Sequence, residues 1–265
     1  MSASGRRQPL LIGGAIVVAV VMAVVVWWLR GDAPDTVDAG RALEQDRSEP
    51  GIGVLTPSEE VDDTSQSEPD NGPPTSPDDL TGTWTVDTSR TFDGTQGLGT
   101  FVGYRVDEEL SGIGANTAVG RTPVVDGELV LDATRVVAAR ISADLMALES
   151  DDGRRDNRVR SMLGDGATAQ FVLDDNIDFG EVPRVGEVVE LSASGVLTIR
   201  DVAHHITVDL QAAVTERGLL ITGTTVIVLD DFDVAVPSAG IVLSASDDAT
   251  LEWQLFFRRA GSNAS

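Results

Sequence analysis

Two adjacent histidines, four crowded arginines and a handful of acidic pairs are the side chains of this 265-residue chain whose types and spacing could do chemistry. His204 and His205 are its only histidines. Neighbours on a strand point to opposite faces, so the pair cannot easily share a metal, and with no cysteine there is no thiolate to complete a site. Turn or surface histidines are expected, and no metal. Asp174-Asp175-Asn176-Ile177-Asp178 opens like a calcium loop. Phe179 then stands where that loop needs glycine, and Val185 where it needs a bidentate acid, so the EF-hand reading fails and leaves at most a loose contact through Asp174 and Asp178. Asp230-Asp231 and Asp247-Asp248 read as solvated loop charges. Arg154, Arg155, Arg158 and Arg160 share one short segment. Arg154 and Arg158 are four apart and fall on one helix face. Guanidinium forks match phosphate, so Arg154, Arg155 and Arg158 are predicted contacts for a lipid head group. The simpler use, and the one favoured by such near acidic neighbours, is ion pairing with Asp151, Asp152 and Asp156. Nothing is assembled for catalysis: there is no Gly-x-Ser-x-Gly, no cysteine nucleophile and, without a single lysine, no phosphate-binding P-loop. Neither an enzyme nor a cofactor is expected.

The charge balance narrows the partners. The chain carries 43 acidic residues against 19 basic ones, a net charge of −24. Such a protein repels phosphate backbones, which argues against nucleic acid, and repels anionic lipid surfaces. Membrane attachment must come from elsewhere, and Leu10–Leu29 supplies it: an uncharged apolar run long enough, at about 30 Å as a helix, to span a bilayer. Arg6 and Arg7 precede it and Trp27 and Trp28 close it, predicting a single-pass anchor with residues 1–9 cytoplasmic and the remainder extracytoplasmic. A cleaved signal peptide fits less well, because its apolar core would be only about 7–15 residues long. Ala15, Ala19 and Ala23 form a small-residue face through which two anchors could pair weakly.

Residues 30–80 read as a disordered linker. From 31 to 80 there are 14 acidic residues against Arg41 and Arg47, seven prolines and no aromatic residue. Such a stretch buries too little to offset its ordering entropy. A short ordered patch around Ile52, Val54 and Leu55 is the one exception weighed.

From about Leu80 the texture becomes that of strands. Trp84 and Val86 alternate with polar residues, as do Leu129 and Leu131, Ile141 and Ala143, and most clearly Leu251, Trp253, Leu255 and Phe257. Arg217-Gly218 reads as a hairpin turn. One helix is expected, Asp152 to Leu163, stopped by Gly164. The fold class is therefore mainly β: an antiparallel barrel of about eight strands, which leaves no open edge and whose interior either fills with side chains or holds one small ligand. Leu219-Leu220-Ile221 and Val226-Ile227-Val228-Leu229 are apolar on both faces, suiting a wall packed on both sides or one side facing lipid.

Residues 81–260 resemble the YceI-like family of exported bacterial lipid-binding proteins, in an actinobacterial-type branch. Four blocks in order carry the likeness: Trp84-Thr85-Val86-Asp87; Gly103 to Glu108 with Val119-Gly120-Arg121-Thr122; Asp151 to Phe171 with Arg155-Asp156; and Gly195 to Ile199 followed by Ile206-Thr207-Val208. The family's usual Gly-Val-Thr turn is here Asp201-Val202-Ala203, followed by the two histidines. The resemblance implies an eight-stranded, lipocalin-like barrel around an apolar cavity for an isoprenoid or other lipid-like amphiphile. Strand alternation nominates Leu197, Ile199, Ile206, Val208, Leu251, Trp253, Leu255 and Phe257 as its wall, although either face of each strand could be the inner one. The alternative is a structural or interaction module of the cell envelope, with a filled barrel and no ligand.

Overall fold

The computed structural model describes residues 33–48, 79–112, 114–235 and 242–261. Two α-helices lie among them, α1 (Ala39–Ser48) and α2 (Gly153–Leu163). The strands are β1 (Gly82–Val86), β2 (Phe101–Leu110), β3 (Gly114–Thr122), β4 (Val125–Asp132), β5 (Arg135–Asp144), β6 (Thr168–Leu173), β7 (Ile177–Asp178), β8 (Val188–Ile199), β9 (Val202–Val214), β10 (Leu219–Val228), β11 (Val242–Ala245) and β12 (Asp248–Arg259).

Eight of these strands close an antiparallel ring in the order β1-β4-β5-β6-β8-β9-β10-β12, sealed by β12 on β1. Along the edge opposite β10, strand β12 serves two neighbours. Its Thr250–Gln254 half pairs with β2, and its Phe257–Arg259 end pairs with β1. β2 also carries β3 and β11, which extend the wall at one end. Arg217-Gly218 lies in the β9–β10 turn, where Thr215 N–H donates to the Gly218 carbonyl, as the sequence predicts. The β8–β9 turn passes through Arg200, which takes a positive φ of 57°.

Helix α2 is delimited by its caps. The Asp152 side chain accepts from the Arg154 N–H at 2.8 Å, and Gly164 ends the helix at φ 82°. It covers one end of the barrel together with the Leu145–Ala147 and Leu229–Phe232 turns, joining Leu163, Leu145 and Phe232 in one apolar cluster. A second cluster, built on Trp84, Leu129, Leu131, Leu255 and Phe257, occupies the other half.

The expectation of a disordered run from 30 to 80 fails at 33–48, and α1 is a helix beyond the one predicted. Asp38 caps it, accepting from the Arg41 N–H at 2.9 Å. Its Ala39, Ala42, Leu43 and Asp46 are buried, at the i, i+3, i+4, i+7 spacing of a single face. They pack on Ala213, Leu220 and Phe256, on the outside of the barrel. Three apolar residues in ten cannot hold a helix alone in water, and here the sheet's outer face does so. That contact explains the double apolarity at Leu220. At Val226 and Val228 the outward side chains remain exposed, at 65% and 41%. The anchor Leu10–Leu29 and the patch around Ile52 lie outside the described residues. Among those described, no helix is long and apolar enough to cross a membrane.

Candidate functional site

The barrel encloses a cavity of about 340 Å³. All eight wall residues named from strand alternation line it: Leu197, Ile199, Ile206, Val208, Leu251, Trp253, Leu255 and Phe257. The cross-strand register accounts for this, since directly opposed residues share a face. Leu251 opposes Tyr104 and Trp253 opposes Val102, while Ile206 opposes Gly195 and Val208 opposes Ala193. Further lining comes from β4, β5 and β6, including Leu129, Ile141 and Phe171.

The lumen is open because its large side chains lie flat. A Cβ at Gly120 would stand 2.5 Å from the Tyr104 ring, and one at Gly195 2.5 Å from the Phe171 ring. A Cβ at Gly223 would collide with the Trp253 indole. In each case a glycine on the adjacent strand provides a seat against the wall, so the ring covers backbone instead of projecting across the barrel. The sequence reading missed this device. Its trace is a glycine inside a strand pattern, directly opposite an aromatic residue at Gly120 and Gly223 and diagonal to one at Gly195 once register is known.

The outer face of β12 is also buried, by the strap of residues 33–48 and by the segment leading into β2. Glu252 is fully buried and meets Arg121 Nε at 2.7 Å and Arg105 at 3.5 Å. Arg121 reaches it across Gly103, where a Cβ would stand 2.8 Å from the Arg121 side chain. Two further Arg121 nitrogens donate to the Gly94 carbonyl at 2.6 Å and the Asp35 carbonyl at 2.9 Å. The two halves of the second resemblance block thus face each other in the β2–β3 hairpin, Gly103 opposite Arg121 and Tyr104 opposite Gly120.

Polar lining gathers at the α2 end. The helix face turned to the cavity carries Arg155, Arg158, Val159, Met162 and Leu163. Arg155 donates to Glu108 at 2.9 Å and also pairs with Asp151. Burial by itself would lower the pKa of Arg155, but the charges of Asp151 and Glu108 outweigh it and leave it raised. Asp156 pairs with no arginine among the described residues; it accepts from the Ser150 N–H at 2.9 Å and hydroxyl at 2.6 Å. Arg160 is a structural clip on the Met146 and Leu148 carbonyls. Arg154 is exposed and off the cavity face, so the three arginines predicted for a head group are not brought together. Burial pushes the Tyr104 phenol up to about 12.

The histidines separate, as adjacent strand residues should. His204 Nε2 lies 2.9 Å from the Asp231 carbonyl with its ring edge-on to Phe232, whereas His205 Nδ1 lies 2.9 Å from Asp174. Asp174 thus faces a histidine, and Asp178 accepts from the Gly180 N–H.

Curated protein sequences contain no match. Similar solved structures include Burkholderia cenocepacia BcnA, at 17% identity and TM-score 0.47, with 64% of this chain and 98% of that one covered. A polyisoprenoid binding domain from Saccharophagus degradans gives 17% identity and TM-score 0.46, covering 66% of this chain and 98% of its own. The YceI protein of Campylobacter jejuni gives 15% and 0.42, covering 54% and 85%. The YceI-like domain profile matches residues 84–257, from the first barrel strand to the last, and on that match the chain belongs to the YceI-like family.

Proposed function

We propose that this barrel binds a lipid-like amphiphile, an isoprenoid or similar chain, and performs no covalent chemistry. The observation that carries the reading is the cavity of about 340 Å³ within the barrel, lined by apolar side chains from every quarter of the wall. A chain-like tail gains roughly 0.8 kcal/mol per buried CH2, so a dry tube is sufficient for binding without a precise polar constellation. Membership of the YceI-like family agrees with it. Glu108, the one carboxylate in the lining, is paired with Arg155 and is not poised for proton transfer. An interior that retains a lumen favours this reading over a filled structural module.

The setting we propose is the outer face of a membrane, with Leu10–Leu29 as the anchor. Only residues 30–32 separate that run from the docked strap, a reach of about 10 Å. The barrel would therefore stand close to the bilayer from which its ligand comes. Carbonate extraction should leave the full chain in the membrane fraction, and a reporter at its C-terminus should be active only outside the cytoplasm. Release by carbonate, or a cytoplasmic reporter, would reject the anchor.

The binding test is native mass spectrometry of full-length protein purified from its host, followed by solvent extraction. A bound amphiphile is expected, displaced by an added polyprenol. Ala193→Trp, which fills the lumen, should abolish uptake while the β-sheet circular dichroism persists. Empty protein that also refuses polyprenol and fatty acid would refute the reading.

A further inference from the structure

We propose that the α2 end of the cavity is a head-group site, and that the ligand carries an anionic oxygen head, a phosphate or carboxylate, seated on Arg158. The proposal rests on the lipid-cavity reading and adds the chemical class of the ligand.

Four groups able to bond a polar head line the cavity near α2: Tyr104, Glu108, Arg155 and Arg158. Arg155 is committed to Glu108 and Asp151. Arg158 follows it by three residues on the same stripe and lines the same cavity, yet it makes no hydrogen bond or ion pair with any described residue. A half-buried guanidinium beside apolar walls is costly to desolvate without an acceptor. Tyr104 is equally unengaged, with no hydrogen-bond partner for its hydroxyl among the described residues. It packs in the same cluster as Val159 and Met162 of α2, and it feels the charges of Arg155, Asp156 and Glu108.

The cavity face of α2 is graded along its length. Arginines occupy its first half, and Val159, Met162 and Leu163 continue it. Glu108 and Asp151 both bond Arg155, and Arg158 has no carboxylate partner of its own among the described residues. A phosphate or carboxylate head there would accept from Arg158 in charge-assisted fashion, while its tail runs past Met162 into the apolar tube.

The test offers full-length protein in detergent micelles a mixture of geranylgeranyl phosphate and geranylgeraniol, which share one tail, and reads the bound ratio by native mass spectrometry. Wild type is expected to favour the phosphate by about tenfold or more. Arg158→Gln should erase that preference and keep uptake of the alcohol. Arg154→Gln, which removes the same charge from the outward face, should leave it intact. Excess inorganic phosphate should displace neither lipid. Equal uptake of both lipids by wild type, an unchanged ratio in Arg158→Gln, an equal loss in Arg154→Gln, or displacement by inorganic phosphate would overturn the head-group site and leave the apolar cavity standing. Refusal of both lipids by every variant would end the cavity reading and this proposal together.

Discussion

Tyr104 is the only tyrosine in the chain, which turns one residue into a direct probe of the cavity. Burial holds its folded pKa near 12, above the ordinary value of 10.0. Tyrosinate absorbance of the folded protein should therefore rise about two pH units later than that of the chain in denaturant, and the step should vanish in Tyr104→Phe. Because the folded value is raised, its contribution to stability is complete below pH 10 and is lost as pH climbs toward 12. The loss is worth roughly 3 kcal/mol. A normal midpoint in the folded protein would show the ring to be solvated. On the other side of the wall, Glu252 and Arg121 form a buried pair on which three segments converge. Glu252→Gln should lower stability by about 3 kcal/mol, seen as a lower urea midpoint with an unchanged slope. A hydrophobic replacement of both partners should recover part of that loss, since the penalty lies in stranding one charge.

Among the elements, the strap of residues 33–48 departs furthest from sequence expectation. Its helix is held by a small apolar face, by Asp46 against Arg90 and Arg217, and by the Ala39 N–H donating to the Gln211 side chain at 3.1 Å. Leu43→Ala should loosen it by about 2 kcal/mol, and limited proteolysis should then cleave within 33–48 while the barrel survives. Equal protease resistance in both proteins would mean that the docked helix does not depend on that contact. The ring-on-glycine pairs belong to the same scale. Gly120→Ala and Gly223→Ala should each drive an aromatic ring inward, shrinking the lumen and reducing lipid uptake more than they reduce stability. Loss of stability with uptake unchanged would show instead that the sheet yields and the rings stay.

For the molecule as a whole, a ligand held inside a closed barrel must stabilise the folded state. Added amphiphile should raise the melting temperature in step with concentration, and Ala193→Trp should remove that dependence without lowering the melting temperature of the empty protein by a comparable amount. How far this architecture can be read without coordinates differs from part to part. Period-two alternation along β12 was enough to nominate Leu251, Trp253, Leu255 and Phe257, because a strand that buries one face must write that face into every second residue. The caps at Asp152 and Gly164 were legible for a similar reason: a helix end leaves unpaired groups that nearby residues must satisfy locally. Alternation could not say which face was inward, and Glu252 and Phe256 show why, since both faces of β12 are buried. The α1 strap was hidden in an acidic, proline-punctuated stretch because its stability resides in Leu220 and Phe256, far along the chain. Arg155 and Arg154 are adjacent in sequence, yet one closes an ion pair with Glu108 and the other faces solvent. Local chemistry writes itself into neighbouring residues, whereas the hollow lumen, the glycine seats and the division of labour among the arginines depend on partners brought together only when the sheet closes.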